Sequence, residues 1–126
     1  MPSKSTVLVV EDDRFISRAY QDGLSRAGFT VKLAFNGQEA LTALATDKPS
    51  LILLDLVMPV MNGFEFLEKI KNNTDYNKIP VVVLSNLGQE SDIKKARDLG
   101  AVDYLVKSDI AIHQVIAKVS EYTQQG

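Results

Sequence analysis

Five short apolar runs stand out along the chain, separated by longer segments that mix apolar and polar residues. The runs are Thr6–Val10, Thr30–Ala34, Leu51–Leu54, Val81–Leu84 and Tyr104–Val106. Runs of this length, rich in β-branched residues and bounded by turn-forming residues, are typical of β-strands. The sequence therefore predicts five strands at roughly regular intervals.

The segments between the runs have apolar residues at the three- and four-residue spacing of a helix face. Two such faces are Ile16, Ala19, Tyr20 and Ala27 after the first run, and Ile112, Val115, Ile116 and Val119 after the last. Asp13 is a suitable N-cap for the first helix, and Gly28 and Gly100 stand where two helices would end. Strand and helix are therefore predicted to alternate five times.

Three of the predicted strands are apolar at every position, which is typical of strands covered on both faces in a parallel sheet. They are Val7–Val10, Leu51–Leu54 and Val81–Leu84, and we expect them to be the central three. Right-handed crossovers then wind the five βα units into a doubly wound α/β fold, with helices on both faces of a parallel sheet. A solenoid is disfavoured because the units share no residue pattern.

Composition narrows the classes of function. The 126 residues carry sixteen acidic and fourteen basic side chains, so the net charge of -2 does not indicate the basic surface of a nucleic-acid binder. The absence of cysteine and the single histidine, His113, exclude disulfides, thiolate chemistry and a multi-histidine metal site. No run approaches the roughly 18 apolar residues of a membrane helix, and no signal peptide is evident, so we expect a cytoplasmic protein.

Polar side chains follow four of the predicted strands directly. They are Glu11-Asp12-Asp13, Asp55, Ser85-Asn86 and Lys107-Ser108. In an open parallel sheet, ligands bind outside the carboxyl ends of the strands. We therefore expect carboxylates, a hydroxyl and an ammonium group to meet at one edge of the sheet.

The carboxylates Glu11, Asp12 and Asp55 would repel one another at such an edge. Keeping all carboxylates within about 4 to 6 Å ionised costs considerable free energy through charge repulsion, so the pocket would take up a proton or a cation. Oxygen ligands favour Mg²⁺ or Mn²⁺ over zinc. With a divalent ion and Lys107 balancing the charge, Asp55 could attack a phosphoryl group as nucleophile, and Ser85 and Lys107 could hydrogen-bond the transferred group.

These residues occur in motifs that resemble the receiver domain of two-component response regulators. The motifs are VLVVEDD, LILLDLVMPVMNG, VVVLSN and DYLVK. The resemblance runs from about Thr6 to about Tyr122 and implies the flavodoxin-like receiver fold with strand order 2-1-3-4-5. We expect a single receiver domain over residues 1–126 with a core of about residues 6–122. We expect no output domain, because the chain opens with Met1 and nothing of domain size follows Tyr122.

The resemblance implies a role for each residue at the predicted edge. Asp55 would accept a phosphoryl group from a histidine kinase or a histidine phosphotransfer protein. Asp12 would bind Mg²⁺ directly, Glu11 would act mainly through water, and the carbonyl group of Val57 would add a metal ligand beside Asp55.

The resemblance also implies how phosphorylation changes the surface. Ser85 and Tyr104 would form a switch pair, with Ser85 drawn toward the phosphoryl oxygen and Tyr104 turning inward behind it. Lys107 would contact the phosphoryl group from the other side. The responding surface would include the helix at about residues 89–99, the strand at Tyr104 and the last helix, and it would control a downstream protein. The active form would be a monomer or a phosphorylation-dependent dimer, without direct contact to nucleic acid or membrane.

Two features depart from the common pattern of the family. Ser108 follows Lys107 where many receivers have a cis proline, and since a non-proline cis bond costs about 2.5 to 4 kcal/mol, we expect a trans bond there. Val57 and Leu87 are apolar at two positions that flank the path of the hydrolytic water in the family. These two side chains predict slow autodephosphorylation.

Other classes of function remain open at this point. A phosphatase of haloacid-dehalogenase type also uses an aspartyl nucleophile after a strand, but Val57 stands where its general-acid aspartate would be. An FMN site is disfavoured because Glu11 and Asp12 would repel the phosphate. A receiver fold that acts as an interaction module without phosphorylation would not need the polar residues at the strand ends, all of which are present.

Overall fold

The computed structural model describes residues 5–123, in which five strands alternate with five α-helices. The strands are β1 (Thr6–Val10), β2 (Thr30–Ala34), β3 (Leu51–Leu54), β4 (Val81–Ser85) and β5 (Asp103–Val106). The helices are α1 (Arg14–Arg26), α2 (Gly37–Thr46), α3 (Gly63–Lys71), α4 (Glu90–Asp98) and α5 (Ile112–Thr123), with a 3₁₀ turn at Lys107–Asp109. Within residues 5–123, none of the helices combines the length and the apolar character needed to cross a membrane.

The strands form one parallel sheet in the order β2-β1-β3-β4-β5, which confirms the predicted doubly wound α/β fold. The three strands expected at the centre, β1, β3 and β4, are the central ones. Val10 at the end of β1 pairs with Leu54 at the end of β3, and Ser85 at the end of β4 pairs with Val106 at the end of β5. This register brings the residues that follow these strands to a common edge.

Alternate side chains of the strands build two apolar layers, one on each face of the sheet. Leu8 and Val10 face the layer that also contains Phe66 of α3 and residues of α2 and α4. Val7 and Val9 face the layer closed by α1 and α5. Because both faces are covered, the central strands are apolar at consecutive positions.

The buried face of α1 differs from the predicted one. The structure buries Ser17, Tyr20 and Leu24, whereas the predicted Ala27 lies beyond the helix and is exposed. The face is rotated because the polar Ser17 occupies a core position, which apolar spacing alone does not reveal. In α5, Val115 and Val119 are buried as expected, but Ile112 at the start of the helix is 41% exposed.

Capping groups fix where the helices begin and end. The side chain of Asp13 accepts hydrogen bonds from the amides of Phe15 and Ile16, so Asp13 is the N-cap of α1 as predicted. Asn62 and Glu65 form a capping box at the start of α3. Gly28 follows the end of α1 with a φ of 99°, a conformation that glycine adopts without strain.

The loop between β3 and α3 contains a strained valine. Val60 has a φ of 69° and is 81% exposed. The left-handed region costs an ordinary L-residue about 1–2 kcal/mol, and the exposed side chain gains little from burial. We expect Val60→Gly to raise the free energy of unfolding by about 1 kcal/mol in denaturant titrations.

The same substitution at Val102 is the control for this prediction. Val102 is also an exposed valine outside the helices, at 40%, but it is not among the described residues with positive φ. Val102→Gly should therefore lower stability through the greater entropy of the unfolded chain. A loss of stability in both variants would contradict the assignment of strain to Val60.

Candidate functional site

The carboxyl edge of the sheet brings the predicted acidic residues together. Glu11 follows β1 and Asp55 follows β3, and the amide of Asp55 donates a hydrogen bond to the carbonyl of Val10 at 2.9 Å. Glu11, Asp12 and Asp55 each offer a carboxylate oxygen within 4.8 Å of the others. Glu11 and Asp55 are buried, whereas Asp12 is exposed at the mouth of the cluster.

Lys107, directly after β5, contacts two of these carboxylates. Its ammonium donates to Oε1 of Glu11 and lies 3.4 Å from Oδ2 of Asp55. Burial acts to lower the pKa of Lys107, but the hydrogen bond to Glu11 and the charge of Asp55 outweigh it, so the pKa lies above its usual range. Lys107 is therefore a cation held directly beside the carboxylate of Asp55.

Glu11 is the most strongly perturbed member of the cluster. Burial raises the pKa of Glu11 to about 7, with a smaller contribution from the charge of Asp55 and opposed by the hydrogen bonds from Lys107 and the amide of Asp13. One lysine thus does not fully offset the cost of burying these carboxylates together. The cluster is suited to a further cation.

Ser17 is a buried polar residue next to the site that the sequence motifs do not include. Its hydroxyl is completely buried and donates to the carbonyl of Glu11 at 3.0 Å. Apolar spacing did not indicate it, because Ser17 stands one helical turn before Tyr20 and two turns before Leu24, on a face of α1 that is rotated from the predicted one. A polar residue on an apolar face usually has a hydrogen-bond partner nearby.

Ser85 and Tyr104 lie on neighbouring strands and meet at Leu87. The amide of Leu87 donates to the buried hydroxyl of Ser85 at 3.3 Å, and the hydroxyl of Tyr104 donates to the carbonyl of Leu87. The ring of Tyr104 is turned inward, with 8% of the residue exposed, and burial raises the pKa of its hydroxyl. The structure therefore links the two proposed switch residues through the backbone N–H and C=O groups of one residue, Leu87.

Val57 lies at the mouth of the same site. Its amide donates to Oδ1 of Asp55 at 3.3 Å, and the residue is 58% exposed. Val57 and Leu87 line an open cleft of about 410 Å³ together with the acidic residues, Ser85 and Lys107. The structure thus brings to one cleft all the site residues predicted from the sequence except Tyr104, which stands behind it.

The turn after Lys107 has the expected trans geometry. No cis peptide bond occurs among the described residues, which include Lys107 and Ser108. The amide of Ser108 donates to Oδ1 of Asn86 at 3.1 Å. This contact joins the loop after β4 to the turn after β5.

The donor set of the acidic cluster fits a divalent cation. The side chains of Glu11, Asp12 and Asp55 offer oxygen only, and two of the three are buried beside a single lysine. Hard cations such as Mg²⁺ and Mn²⁺ prefer oxygen ligands of this kind.

The fold and the cleft together define a class of protein. A family model for the response regulator receiver domain matches residues 7–120, and the chain belongs to this family. Receiver domains act in two-component signalling: they take phosphoryl groups from histidine kinases, bind a divalent metal at an acidic pocket and act on downstream partners. The resemblance read from the sequence is therefore confirmed.

Particular relatives support this assignment. Response regulator MprA of Mycobacterium ulcerans is 35% identical over 113 residues, covering 90% of this chain and 47% of that protein. Chemotaxis protein CheY4 of Vibrio cholerae superimposes with a TM-score of 0.89 at 27% identity, covering 95% of this chain and 99% of the CheY4 chain. The Mn²⁺-bound form of response regulator Rcp1 gives a TM-score of 0.86 at 30% identity, with coverage of 97% and 96%. The chain spans about half the length of the curated relatives it matches.

Proposed function

We propose that this receiver domain accepts a phosphoryl group on Asp55 in a Mg²⁺-dependent reaction and thereby controls a partner protein. The observation that carries the proposal is the convergence of Asp55, Lys107 and the acidic pair Glu11 and Asp12 in one cleft. The donor would be a phosphohistidine of a kinase or of a phosphotransfer protein. An aspartyl phosphatase of the haloacid-dehalogenase type is disfavoured by the family match and by Val57 in place of a general acid.

The chemistry follows from the contacts of Asp55. A carboxylate oxygen of Asp55 forms a bond to phosphorus, the bond from phosphorus to the donor nitrogen breaks, and the nitrogen leaves with the electron pair. Lys107, already 3.4 Å from Oδ2 of Asp55, would stabilise the negative charge on the transferred group. Ser85 would donate its hydroxyl to the same group.

The metal would be held by the oxygen atoms of the acidic cluster. Asp12 and Asp55 would be direct ligands, Glu11 would act mainly through water, and the carbonyl of Val57 would complete the set. Bound Mg²⁺ would neutralise charge on the carboxylates and on the phosphoryl oxygens. The Mn²⁺-bound Rcp1 structure supports a divalent ion in a relative of this chain.

The proposed switch passes from Ser85 to Tyr104 through Leu87. Movement of the Ser85 hydroxyl toward a phosphoryl oxygen would release the amide of Leu87, whose carbonyl accepts from the hydroxyl of Tyr104. The two new hydrogen bonds to the phosphoryl group, from Ser85 and Lys107, would together stabilise the phosphorylated conformation by about 3–6 kcal/mol. This is comparable with the roughly 5.5 kcal/mol that moves a two-state equilibrium from 1:99 to 99:1.

Asp103 connects this switch to the surface formed by α4, β5 and α5. The carboxylate of Asp103 accepts from the hydroxyl of Tyr122 at 2.8 Å and lies 3.7 Å from the ammonium of Lys118 and 4.0 Å from the guanidinium of Arg97. Because Asp103 directly precedes Tyr104, a shift of Tyr104 would disturb contacts on both helices. We propose this surface as the site of the downstream partner, or of a second copy in a phosphorylation-dependent dimer.

Acetyl phosphate provides the test of the proposed function. Intact mass spectrometry of the protein incubated with acetyl phosphate and Mg²⁺ should detect one added phosphoryl group, and a chelator should prevent its addition. Asp12→Ala should raise the Mg²⁺ concentration that phosphorylation requires, since Asp12 is proposed as a direct metal ligand. Absence of the adduct in the wild-type protein under all metal conditions would refute the proposal.

The apolar lining of the cleft predicts a long-lived phosphoryl group. Val57 and Leu87 offer no polar atom of their side chains to orient a hydrolytic water. We expect Val57→Asn to shorten the phosphoryl lifetime by about tenfold, less than the roughly 100-fold or more of a positioned general acid or base, because asparagine orients a water molecule without taking its proton. The decay of the mass adduct after removal of acetyl phosphate measures this lifetime.

Val57→Ala is the matched control, because it reduces the side chain without adding a polar group. Its phosphoryl lifetime should stay close to that of the wild type. If alanine shortens the lifetime as much as asparagine does, steric exclusion of water rather than polarity governs the hydrolysis.

A further inference from the structure

The turn that carries Lys107 is weakly held by its own backbone. Lys107 follows β5, an edge strand that pairs only with β4 in the described sheet. The hydrogen bond that closes the 3₁₀ turn, from the amide of Ile110 to the carbonyl of Lys107, is 3.5 Å long. This distance is at the outer limit for a hydrogen bond, so the turn needs support from elsewhere.

Asn86 supplies a contact of better geometry. Its side-chain oxygen accepts the amide hydrogen of Ser108 at 3.1 Å, although the two residues are 22 positions apart in the chain. Asn86 directly follows Ser85, and Ser108 directly follows Lys107. The bond therefore joins the neighbours of Ser85 and Lys107, the two residues proposed to contact the phosphoryl group.

The side-chain contacts of Lys107 do not by themselves fix its direction for the proposed reaction. Its ammonium is shared between Glu11 and Asp55, and both carboxylates are proposed to take part in binding the metal or the phosphoryl group. The lysine side chain is long and flexible, so the direction of its ammonium group depends on where the backbone places the Cα atom of the residue.

We propose that Asn86 is a positioning residue that holds the turn through the amide of Ser108 and thereby aims Lys107 at the phosphoryl group on Asp55. The proposal rests on the phosphoryl transfer proposed above. It also gives Ser108 a role that a proline could not fill, because proline has no amide hydrogen to donate.

Asn86→Ala tests the proposal, with Gln89→Ala as the matched control. Gln89 lies in the same loop and also carries a carboxamide, but it makes no capping hydrogen bond to α4. In Asn86→Ala, exchange of the Ser108 amide hydrogen, followed by NMR, should accelerate by about two- to tenfold, as loss of one ordinary hydrogen bond implies. Asn86→Asp keeps an acceptor oxygen and should retain the protection of the Ser108 amide.

Two functional quantities are measured on each variant: the rate of phosphorylation by acetyl phosphate and the affinity for Mg²⁺. In Asn86→Ala the rate should fall by about two- to tenfold. Mg²⁺ affinity in a titration should match the wild type, because among the described contacts the side chain of Asn86 bonds to the amide of Ser108 and to none of the acidic side chains. Gln89→Ala should match the wild type in both. A lower phosphorylation rate with unchanged Mg²⁺ affinity indicates that only the orientation of Lys107 has changed. A general disturbance of the site would lower both.

Three results would overturn the positioning role: unchanged exchange at Ser108 in Asn86→Ala, faster exchange with an unchanged phosphorylation rate, or a parallel loss of rate and Mg²⁺ affinity. In each of them the wild-type protein is still phosphorylated, so the proposed function survives. Failure of the wild-type protein to accept a phosphoryl group refutes both proposals together.

Discussion

Asp55→Asn is expected to take up no phosphoryl group under conditions in which the wild-type protein takes up one. Asparagine keeps the size of the side chain, which is 8% exposed in the wild type, but replaces the carboxylate proposed as nucleophile with an amide. An amide oxygen carries no full negative charge and forms no stable acyl phosphate. Intact mass spectrometry after incubation with acetyl phosphate and Mg²⁺ measures the loss directly.

Asp13→Asn is the matched control for this experiment. Asp13 lies beside the cluster, but its carboxylate caps α1 by accepting from the amides of Phe15 and Ile16. Asparagine is about as good an N-cap as aspartate, so this variant should fold and be phosphorylated as the wild type is. A phosphoryl adduct that persists in Asp55→Asn would place the acceptor elsewhere and refute the assignment of Asp55.

The sheet could be predicted from the sequence because its central strands are apolar on both faces. The bounds of β1, β2 and β3 agree with the apolar runs, and β4 and β5 each extend by one residue. The added residues are Ser85 and Asp103, polar residues that continue the pairing with Val106 and Val82. Polar residues at strand ends are not visible in an apolar pattern, although they belong to the backbone ladder.

The members of the site could be predicted for a different reason. In a parallel sheet the carboxyl ends of the strands share one edge, so any polar residue after a strand is a candidate. The pairing of Val10 with Leu54 then places Glu11 beside Asp55. The roles assigned to these residues remain predictions, and they await the experiments above.

Three features of the site could not be predicted because they depend on how side chains and loops meet in space. Ser17 contacts the carbonyl of Glu11 only because α1 is rotated by one position from its apolar pattern. The bond between Asn86 and Ser108 crosses two loops whose paths the sequence does not determine. The hydroxyl of Tyr104 donates to the carbonyl of Leu87, a partner that the apolar pattern does not indicate.

Gly63→Ala is expected to destabilise the protein by about 3 kcal/mol and to slow phosphorylation by up to about 100-fold. A Cβ atom at Gly63 would lie 2.4 Å from the carbonyl oxygen of Asp55 and 2.6 Å from Cα of Leu56. Both are backbone atoms, so the clash cannot be relieved by rotating a side chain. Because the amide of Gly63 also donates to the carbonyl of Leu56 at 2.9 Å, the start of α3 and the loop after β3 must shift together.

Gly88→Ala separates this steric effect from the general effect of replacing a glycine. At Gly88 a Cβ atom would meet only the side chain of Val106, at 3.9 Å, and the residue has no positive φ. This variant should be as stable as the wild type or more stable by about 0.4–1 kcal/mol, because alanine reduces the entropy of the unfolded chain. Denaturant unfolding and the phosphorylation rate, measured on both variants, test whether contact between α3 and the backbone of Asp55 holds the proposed acceptor, Asp55, in place. Equal behaviour of the two variants would show that it does not.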